Sequence, residues 1–422
     1  MRIGIIIEVK KREITFLSIL KKRLEIEGHN VKLISFRYKC HHQIKKFRPD
    51  VLMVNGLRHV MPYAYEQMYL PKKQYGTKIV CYYSEQLGRA NSSIAYSYDN
   101  KEILNNVDMH IVWGPKFAKD LVSLGVPKNK IYIIGYLQYD INRYFKYTSN
   151  ELKNMIGEKY NLDPNKKWIL VADNIIKIAN HHGLYSQRRN EFNVLTKKIA
   201  HELPNCEIIF RTHPETSPEE NIELREEFIS FPQIHFINDG HLFYWIHIAN
   251  ALVIWVSTSC IHALLDNVPV FSYKTSDSEM DCYWQKELVD LYTDVDKLVQ
   301  DLKMTIESAS THCMDDRVKK FINDWYYRVN GLSYERLVYL MNKMENIPFV
   351  PYIGTNFGLK SYIKAHYSRF HSFLGDVLFN RFRYKRILDN EIIAELENFD
   401  IKKIPCTISE RISDFGVFVE DK

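Results

Sequence analysis

The sequence predicts an α/β protein built from two doubly wound parallel sheets, and three observations lead there. At 422 residues the chain exceeds one ordinary core, since domains run to roughly 150 residues. Short continuous apolar runs alternate with stretches of helical spacing, the pattern of parallel strands joined by crossover helices. That alternation stops near residue 140 and starts again after residue 160, which makes two series rather than one long one.

In the first series, Ile3 to Ile7 reads as a buried parallel strand. Ile14 to Glu27 follows with Phe16, Leu17, Leu20 and Leu24 on one helical face, closed by Gly28. Further strands are expected at Val31 to Ser35, Val51 to Val54, Lys78 to Tyr82, His110 to Trp113 and Lys130 to Ile134. The polar, helix-prone stretch Ser149 to Tyr160 reads as the interdomain connection. The second series places strands at Trp168 to Ala172, Glu207 to Arg211, Ile234 to Ile237, Ala251 to Val256 and Val268 to Phe271. Asp315 to Met344 reads as long helix broken at Gly331, and residues 350–388 mix Phe, Tyr, Lys and Arg without alternation. The expected domains are therefore 1–148, 149–345 and an aromatic, basic extension at 346–422.

Composition narrows the class. Apolar residues at 46% and charged residues at 26% are those of a soluble globular enzyme. Seven scattered cysteines without a CxxC pair read as free thiols in a reducing compartment. The apolar run at the start is too short for a signal peptide, and no run of about 18 apolar residues follows, so the expected location is cytoplasmic. The net charge of +6 is uneven: residues 1–50 carry 13 Lys or Arg against 5 Asp or Glu, and residues 356–386 carry 7 against 1. These zones are candidates for peripheral contact with an anionic inner membrane or a phosphorylated acceptor. No nucleic-acid motif accompanies them, so nucleic acid is not an expected partner.

Ligands of open α/β sheets bind beyond the carboxyl ends of the strands, so the residues there carry the functional reading. One expected strand runs into Arg211-Thr212-His213-Pro214, where Pro214 restricts His213 to an extended backbone and so aims its imidazole. A fixed His beside an Arg suits a phosphate leaving group. Another ends in Ser257-Thr258-Ser259 and opens a helix, a natural phosphate cradle that competes with a plain N-cap. A third leads into Asp173-Asn174 and on to His181-His182, bordering the same place. Asp294-Val295-Asp296 has the DxD spelling of a divalent-cation site but sits where acidic residues open a helix, and it reads as a cap. Adjacent histidines, His41-His42 and His181-His182, point apart. No metal site and no cofactor are expected.

The segments KREITFLSILKKRLEIEGHNV, WGPKFAKDLVSLGVPKNKIYIIGYLQYD, RTHPE, STSCIHALLDNVPVF and NGLSYERLVYLM, in this order, resemble bacterial surface-carbohydrate biosynthesis proteins. That group is similar in turn to capsule Kdo transferases, bacterial polysialyltransferases and CDP-glycerol glycerophosphotransferases. The resemblance runs from about residue 3 to about residue 345. It implies the GT-B layout, two Rossmann-like domains facing a cleft, the first for the acceptor and the second for the nucleotide-activated donor. By resemblance His213 and Pro214 contact the donor phosphate, Ser257 and Thr258 hold it, and Glu85 in YYSEQLG is the general base. The related pattern has a Glu where this chain has His262, and a Gly where it has Asn267. The donor-site set is thus Arg211, His213, Pro214, Ser257, Thr258, Ser259, Asn174, His182 and His262.

The function this implies is an inverting, metal-independent glycosyltransferase. It would move a sugar, Kdo- or sialic-acid-like among the options, from a CMP-, CDP- or UDP-linked donor to a surface polysaccharide or glycolipid. The alternatives are a CDP-glycerol-type glycerophosphotransferase, a sugar-nucleotide 2-epimerase, and a non-catalytic polysaccharide-assembly protein.

Overall fold

The structure is a computed structural model that describes residues 1–36, 39–56, 65–87, 100–175, 184–213, 216–275, 283–308, 315–354, 363, 367 and 387–402. Two compact units divide it: the described residues of 1–146 and 322–402 form the first, and those of 147–321 the second.

The first unit begins with β1 (Arg2–Ile7), α1 (Lys10–Ile26), β2 (Asn30–Ser35), α2 (Cys40–Phe47) and β3 (Val51–Asn55). A π-helical turn, Tyr65–Tyr69, runs into α3 (Leu70–Tyr75), and β4 (Lys78–Tyr82), α4 (Lys101–Asn106), β5 (Met109–Val112), α5 (Pro115–Ser123) and β6 (Ile131–Ile133) follow. All six strands are parallel, in the order β2-β1-β3-β4-β5-β6. Ile5, Ile6, Leu52, Val54, Ile79 and Val80 are buried, as strands covered on both faces require. The order reverses between β1 and β3, and the carboxyl ends of these two strands flank that switch point.

The second unit carries α6 (Ser149–Tyr160), β7 (Lys167–Ala172), α7 (Tyr185–Glu202), β8 (Cys206–Arg211), α8 (Pro218–Glu227), β9 (Ile234–Phe236), α9 (Leu242–Ile248) and β10 (Ala251–Ile254). Next come α10 (Ser259–Leu265), β11 (Val270–Tyr273), α11 (Tyr283–Leu288), β12 (Leu291–Tyr292) and α12 (Val295–Glu307). The sheet, again wholly parallel, runs β12-β11-β10-β7-β8-β9, the Rossmann order, with its switch point between β7 and β10. Asp294 caps α12, accepting from the backbone N–H of Asp296 at 2.8 Å and of Lys297 at 3.2 Å, so the DxD spelling belongs to a helix start.

From Ile322, inside α13 (Asp316–Tyr326), onward the described chain belongs to the first unit, where the sequence reading put the boundary at residue 345. Hydrophobic spacing identifies these helices but does not say which sheet they cover. Three contacts decide it. Gly114 lies so close to α13 that a Cβ there would stand 2.3 Å from the backbone carbonyl of Trp325. Asp140 accepts from the N–H of Gly331 at 3.1 Å and of Ser333 at 2.7 Å, at the break before α14 (Ser333–Asn342). Arg23 on α1 makes a buried two-pronged pair with Glu335 at 2.9 and 2.7 Å.

The described parts of the expected extension are likewise fastened to the first unit. Lys78 donates to the carbonyls of Met344 and Ile347, both at 2.6 Å, and Val350 N–H donates to Asp108 at 2.8 Å. Farther on, α15 (Asp389–Leu396) lies on α1 through Lys10–Glu391 at 2.5 Å and Thr15 donating to Glu395 at 2.5 Å. Most of the basic stretch 356–386 lies outside the described residues.

Candidate functional site

In the first unit, the switch point holds a group of carboxylates. Glu8 is the first residue past β1, and Asn55 ends β3. The Asn55 amide donates to Glu8 at 2.8 Å and to Ser84 Oγ at 2.7 Å, and it lies 3.3 Å from a carboxylate oxygen of Glu13. Glu13, fully buried in the first turn of α1, accepts the backbone N–H of Glu8 at 2.8 Å. Burial pushes its pKa up to about 7, against the pull of that N–H and of Arg12. Glu85, three residues past β4, is partly exposed and paired with Arg12 at 2.5 Å. Burial opposes the charge on Arg12, but Glu85 and Glu13 outweigh it and raise its pKa. The Tyr136 ring lies 3.9 Å from Trp113, and its phenol is pushed up by burial, with Arg12, Glu85 and Glu13 among its electrostatic neighbours. Tyr82, Ser84, Trp113 and Tyr136 help wall a recess of about 20 Å³, room for about one water.

In the second unit, the strand ends beside the switch point gather Asp173, Asn174 and the segment 255–259. The Asn174 amide donates to the carbonyl of Val256, bridging β7 to β10, while its own oxygen is buried without a partner. Asp173 is buried. Its Oδ1 accepts from Ile175 N–H at 3.0 Å, and its Oδ2 stands 2.9 Å from the guanidinium of Arg189 on α7. Burial raises its pKa, with Arg189 the largest opposing influence and His213 a further one. His213 lies just past β8, next to β7 in the sheet.

Arg211 has a different task from the expected one. It donates to the carbonyls of Ile237, Asn238, Asp239 and Gly240 at 2.7–3.3 Å and lies over the Trp245 ring. Burial lowers its pKa to about 10. Its guanidinium therefore clamps the loop after β9 instead of standing open to a phosphate. Ser259 is buried and donates its hydroxyl to Ser257 Oγ at 2.8 Å, while Thr258 is exposed at the start of α10. His262 is half-buried with its ring 3.9 Å from Phe243. Burial first, and His241 second, hold its pKa well below the ordinary imidazole value. It is thus a neutral ring at physiological pH, not a cation for phosphate. Pro214 and His182 lie outside the described residues.

Residues 126–276 match the family described as capsule polysaccharide biosynthesis protein. Among solved structures, the S. aureus MnaA–UDP complex is 15% identical over 85% of this chain and 100% of its own, at a TM-score of 0.55. The Neisseria meningitidis UDP-GlcNAc 2-epimerase bound to UDP-GlcNAc is 12% identical over 81% and 100%, at 0.56. The wall teichoic acid polymerase TagF is 13% identical over 82% and 88%, at 0.56. The fold is the GT-B type of two Rossmann-like units that these solved structures share. No curated protein matches it by sequence. At such identities the likeness to the solved structures is one of fold.

Three residues of the first-unit group were missed in the sequence: Glu8, Glu13 and Asn55. Each had a signal. Glu8 directly follows the first strand, and Asn55 ends the third. Glu13 lies three and four positions before Phe16 and Leu17, a carboxylate on an apolar helix stripe. A larger cavity of about 490 Å³ opens in the second unit near Pro269, Val289, Asp290 and Arg317. It adjoins the amino ends of β11 and β12, opposite to where sheets of this kind bind ligands. Among the described residues no helix is long and apolar enough to cross a membrane, and no three His, Cys, Asp or Glu side chains form a metal-holding group.

Proposed function

We propose that the chain is an inverting, metal-independent glycosyltransferase that moves a sugar from a CMP-, CDP- or UDP-linked donor to a surface polysaccharide or glycolipid acceptor. The observation that carries this reading is the contrast between the two switch points. One holds carboxylates with a single arginine, as an acceptor hydroxyl that must lose a proton requires. The other holds a histidine, hydroxyls and a helix start, as a departing phosphate requires. Glu85 takes the proton of the acceptor hydroxyl while its oxygen forms the new bond to the anomeric carbon. The bond from that carbon to the phosphate oxygen breaks, and its electron pair leaves with the nucleotide. One direct displacement inverts the anomeric centre. His213, Ser257 and Thr258 stabilise the charge on the leaving phosphate, with Asn174 beside them, and Pro214 and His182 belong to the same expected donor set.

The family match at residues 126–276 supports a role in surface-carbohydrate synthesis, and the UDP and UDP-GlcNAc bound in the similar structures support a nucleotide-sugar donor. Incubating the protein with radiolabelled nucleotide sugars and a membrane glycolipid fraction tests the reading. Acceptor-linked label is expected, and its absence with every donor refutes transfer. One observation favours a second reading: three clustered carboxylates, one of them fully buried, also suit acid–base exchange at a sugar carbon, as in a 2-epimerase. Solvent deuterium entering the donor sugar without an acceptor would select that chemistry. The cations of 356–386 support a peripheral position on an anionic inner membrane face.

A further inference from the structure

The turn of α1 that carries Arg12 and Glu13 is held from outside the helix. Its N-cap is Val9, whose side chain gives the first N–H groups no acceptor, so the start of α1 lacks the cap that a Ser or Asp would supply. Where that start lies matters to the carboxylate group. Glu13 accepts the Glu8 N–H at 2.8 Å, and Arg12 pairs with Glu85 at 2.5 Å. The outside ties come from α15 and bracket both residues. Lys10 pairs with Glu391 at 2.5 Å, and the other oxygen of Glu391 accepts the Leu388 N–H at 2.9 Å, so one carboxylate opens α15 and binds it to α1. One turn farther along, Glu395 accepts the hydroxyl of buried Thr15 at 2.5 Å. The segment supplying these ties is itself seated. Ile392 and Phe399 are buried, and residues 398–400 pair antiparallel with 144–146. There Lys146 N–H donates to Asn398 O at 3.0 Å, Asp400 N–H donates to Tyr144 O at 2.8 Å, and the Phe145 and Phe399 rings lie 5.6 Å apart.

We propose that Glu391 and Glu395 are positioning residues for the acceptor: through Lys10 and Thr15 they hold the first turn of α1 where Arg12 orients Glu85 and Glu13 orders Glu8. This rests on the reading of the first-unit switch point as the acceptor site. Helix starts fray, and losing a cap-strength tie makes the first turn open about tenfold more often. Each opening takes Glu13 away from the Glu8 N–H and Arg12 away from Glu85, because both bonds begin on that turn. The effect is local. It reaches the carboxylate group and leaves the second unit's strand ends as they are.

The experiment has two arms. The first follows amide hydrogen exchange by NMR in the full, nucleotide-free chain for wild type, Thr15→Val, Thr15→Ser and Lys10→Met, with thermal melts to confirm folding. Thr15→Val keeps the shape and removes the donor, Thr15→Ser keeps the hydroxyl, and Lys10→Met guards against a Thr15→Val chain that does not fold. The Glu8 amide, protected by the Glu13 carboxylate, should exchange about tenfold faster in Thr15→Val and Lys10→Met and near the wild-type rate in Thr15→Ser. The Asp173 amide, bonded to Arg211 O in the second unit, should not change. An unchanged Glu8 rate in a folded Thr15→Val or Lys10→Met chain overturns the proposal. The second arm measures label transfer to the membrane glycolipid fraction and calorimetric binding of UDP, CDP and CMP. Turnover should fall about tenfold in Thr15→Val with nucleotide affinity unchanged, and Thr15→Ser should restore it. Wild-type turnover in a variant whose Glu8 amide exchanges fast overturns the link to the acceptor site. If wild type transfers no label from any donor, the transferase reading fails, and the exchange arm still decides whether α15 places Glu13.

Discussion

Glu13 tests the first-unit site through the pH dependence of stability. Its carboxyl is fully buried, and its pKa rises from 4.5 to about 7 on folding, because burial outweighs the Glu8 N–H and Arg12. The native state therefore holds a proton that the unfolded chain releases between these values. Stability from this group is fully present below pH 4.5 and is lost as pH rises through 7. A shift of that size corresponds to about 3 kcal/mol. Glu13→Gln keeps the shape and removes the titration. Urea unfolding of both proteins, followed by circular dichroism at half-unit steps from pH 5 to 8.5, should give converging stabilities at the acid end. Toward pH 8.5 the variant should gain on wild type by up to about 3 kcal/mol. Parallel stability curves would refute the reasoning.

Other perturbations separate chemistry from scaffold. Glu85→Gln should lower turnover about 100-fold or more with nucleotide affinity unchanged, read by transfer assay and calorimetry. Arg211→Lys cannot reproduce a fork that reaches four carbonyls, so it should cost about 2 kcal/mol or more in stability, read as a lowered melting temperature. Gly114→Ala would place a methyl 2.3 Å from the Trp325 carbonyl, and the folded yield should drop unless α13 shifts, which limited proteolysis would reveal. Flotation with anionic vesicles should recover the protein at low salt and lose it at high salt, while equal recovery with neutral vesicles would remove the membrane role.

Much of this was legible because strands and helices are local. The β4 and α6 ranges, Lys78–Tyr82 and Ser149–Tyr160, agree with the sequence reading to the residue, and the break at Gly331 falls at a φ of +77° that glycine adopts freely. Other strands differ by a residue or two. β12 has only two residues, too few to carry a period. The destination of α13 to α15 was not legible, because amphipathic spacing says that a face is buried and not on what. Arg23 on α1 finds Glu335 across 312 residues of sequence.

The candidate sites divide along the same line. Residue type and strand end are local facts, and they brought Glu85, His213, Ser257 and Thr258 to the carboxyl ends of the sheets. Side-chain direction is not local. Alternation put Arg211 beside His213, yet the loop after β9 offered its guanidinium four carbonyls and a tryptophan face, and a buried cation takes the partners that replace its water most completely. The carboxylate group was harder still to read, because it exists only through strand order. Glu8 and Asn55 meet because β3 joins β1 on the side away from β2, so the reversal lies between residues 47 apart in sequence. A rule that flagged every polar residue just past a strand would have named both, along with many bystanders. Strand order selects among them: of all the strand ends in the first sheet, the switch point is flanked by Glu8 and Asn55, and Glu13 lies buried against them.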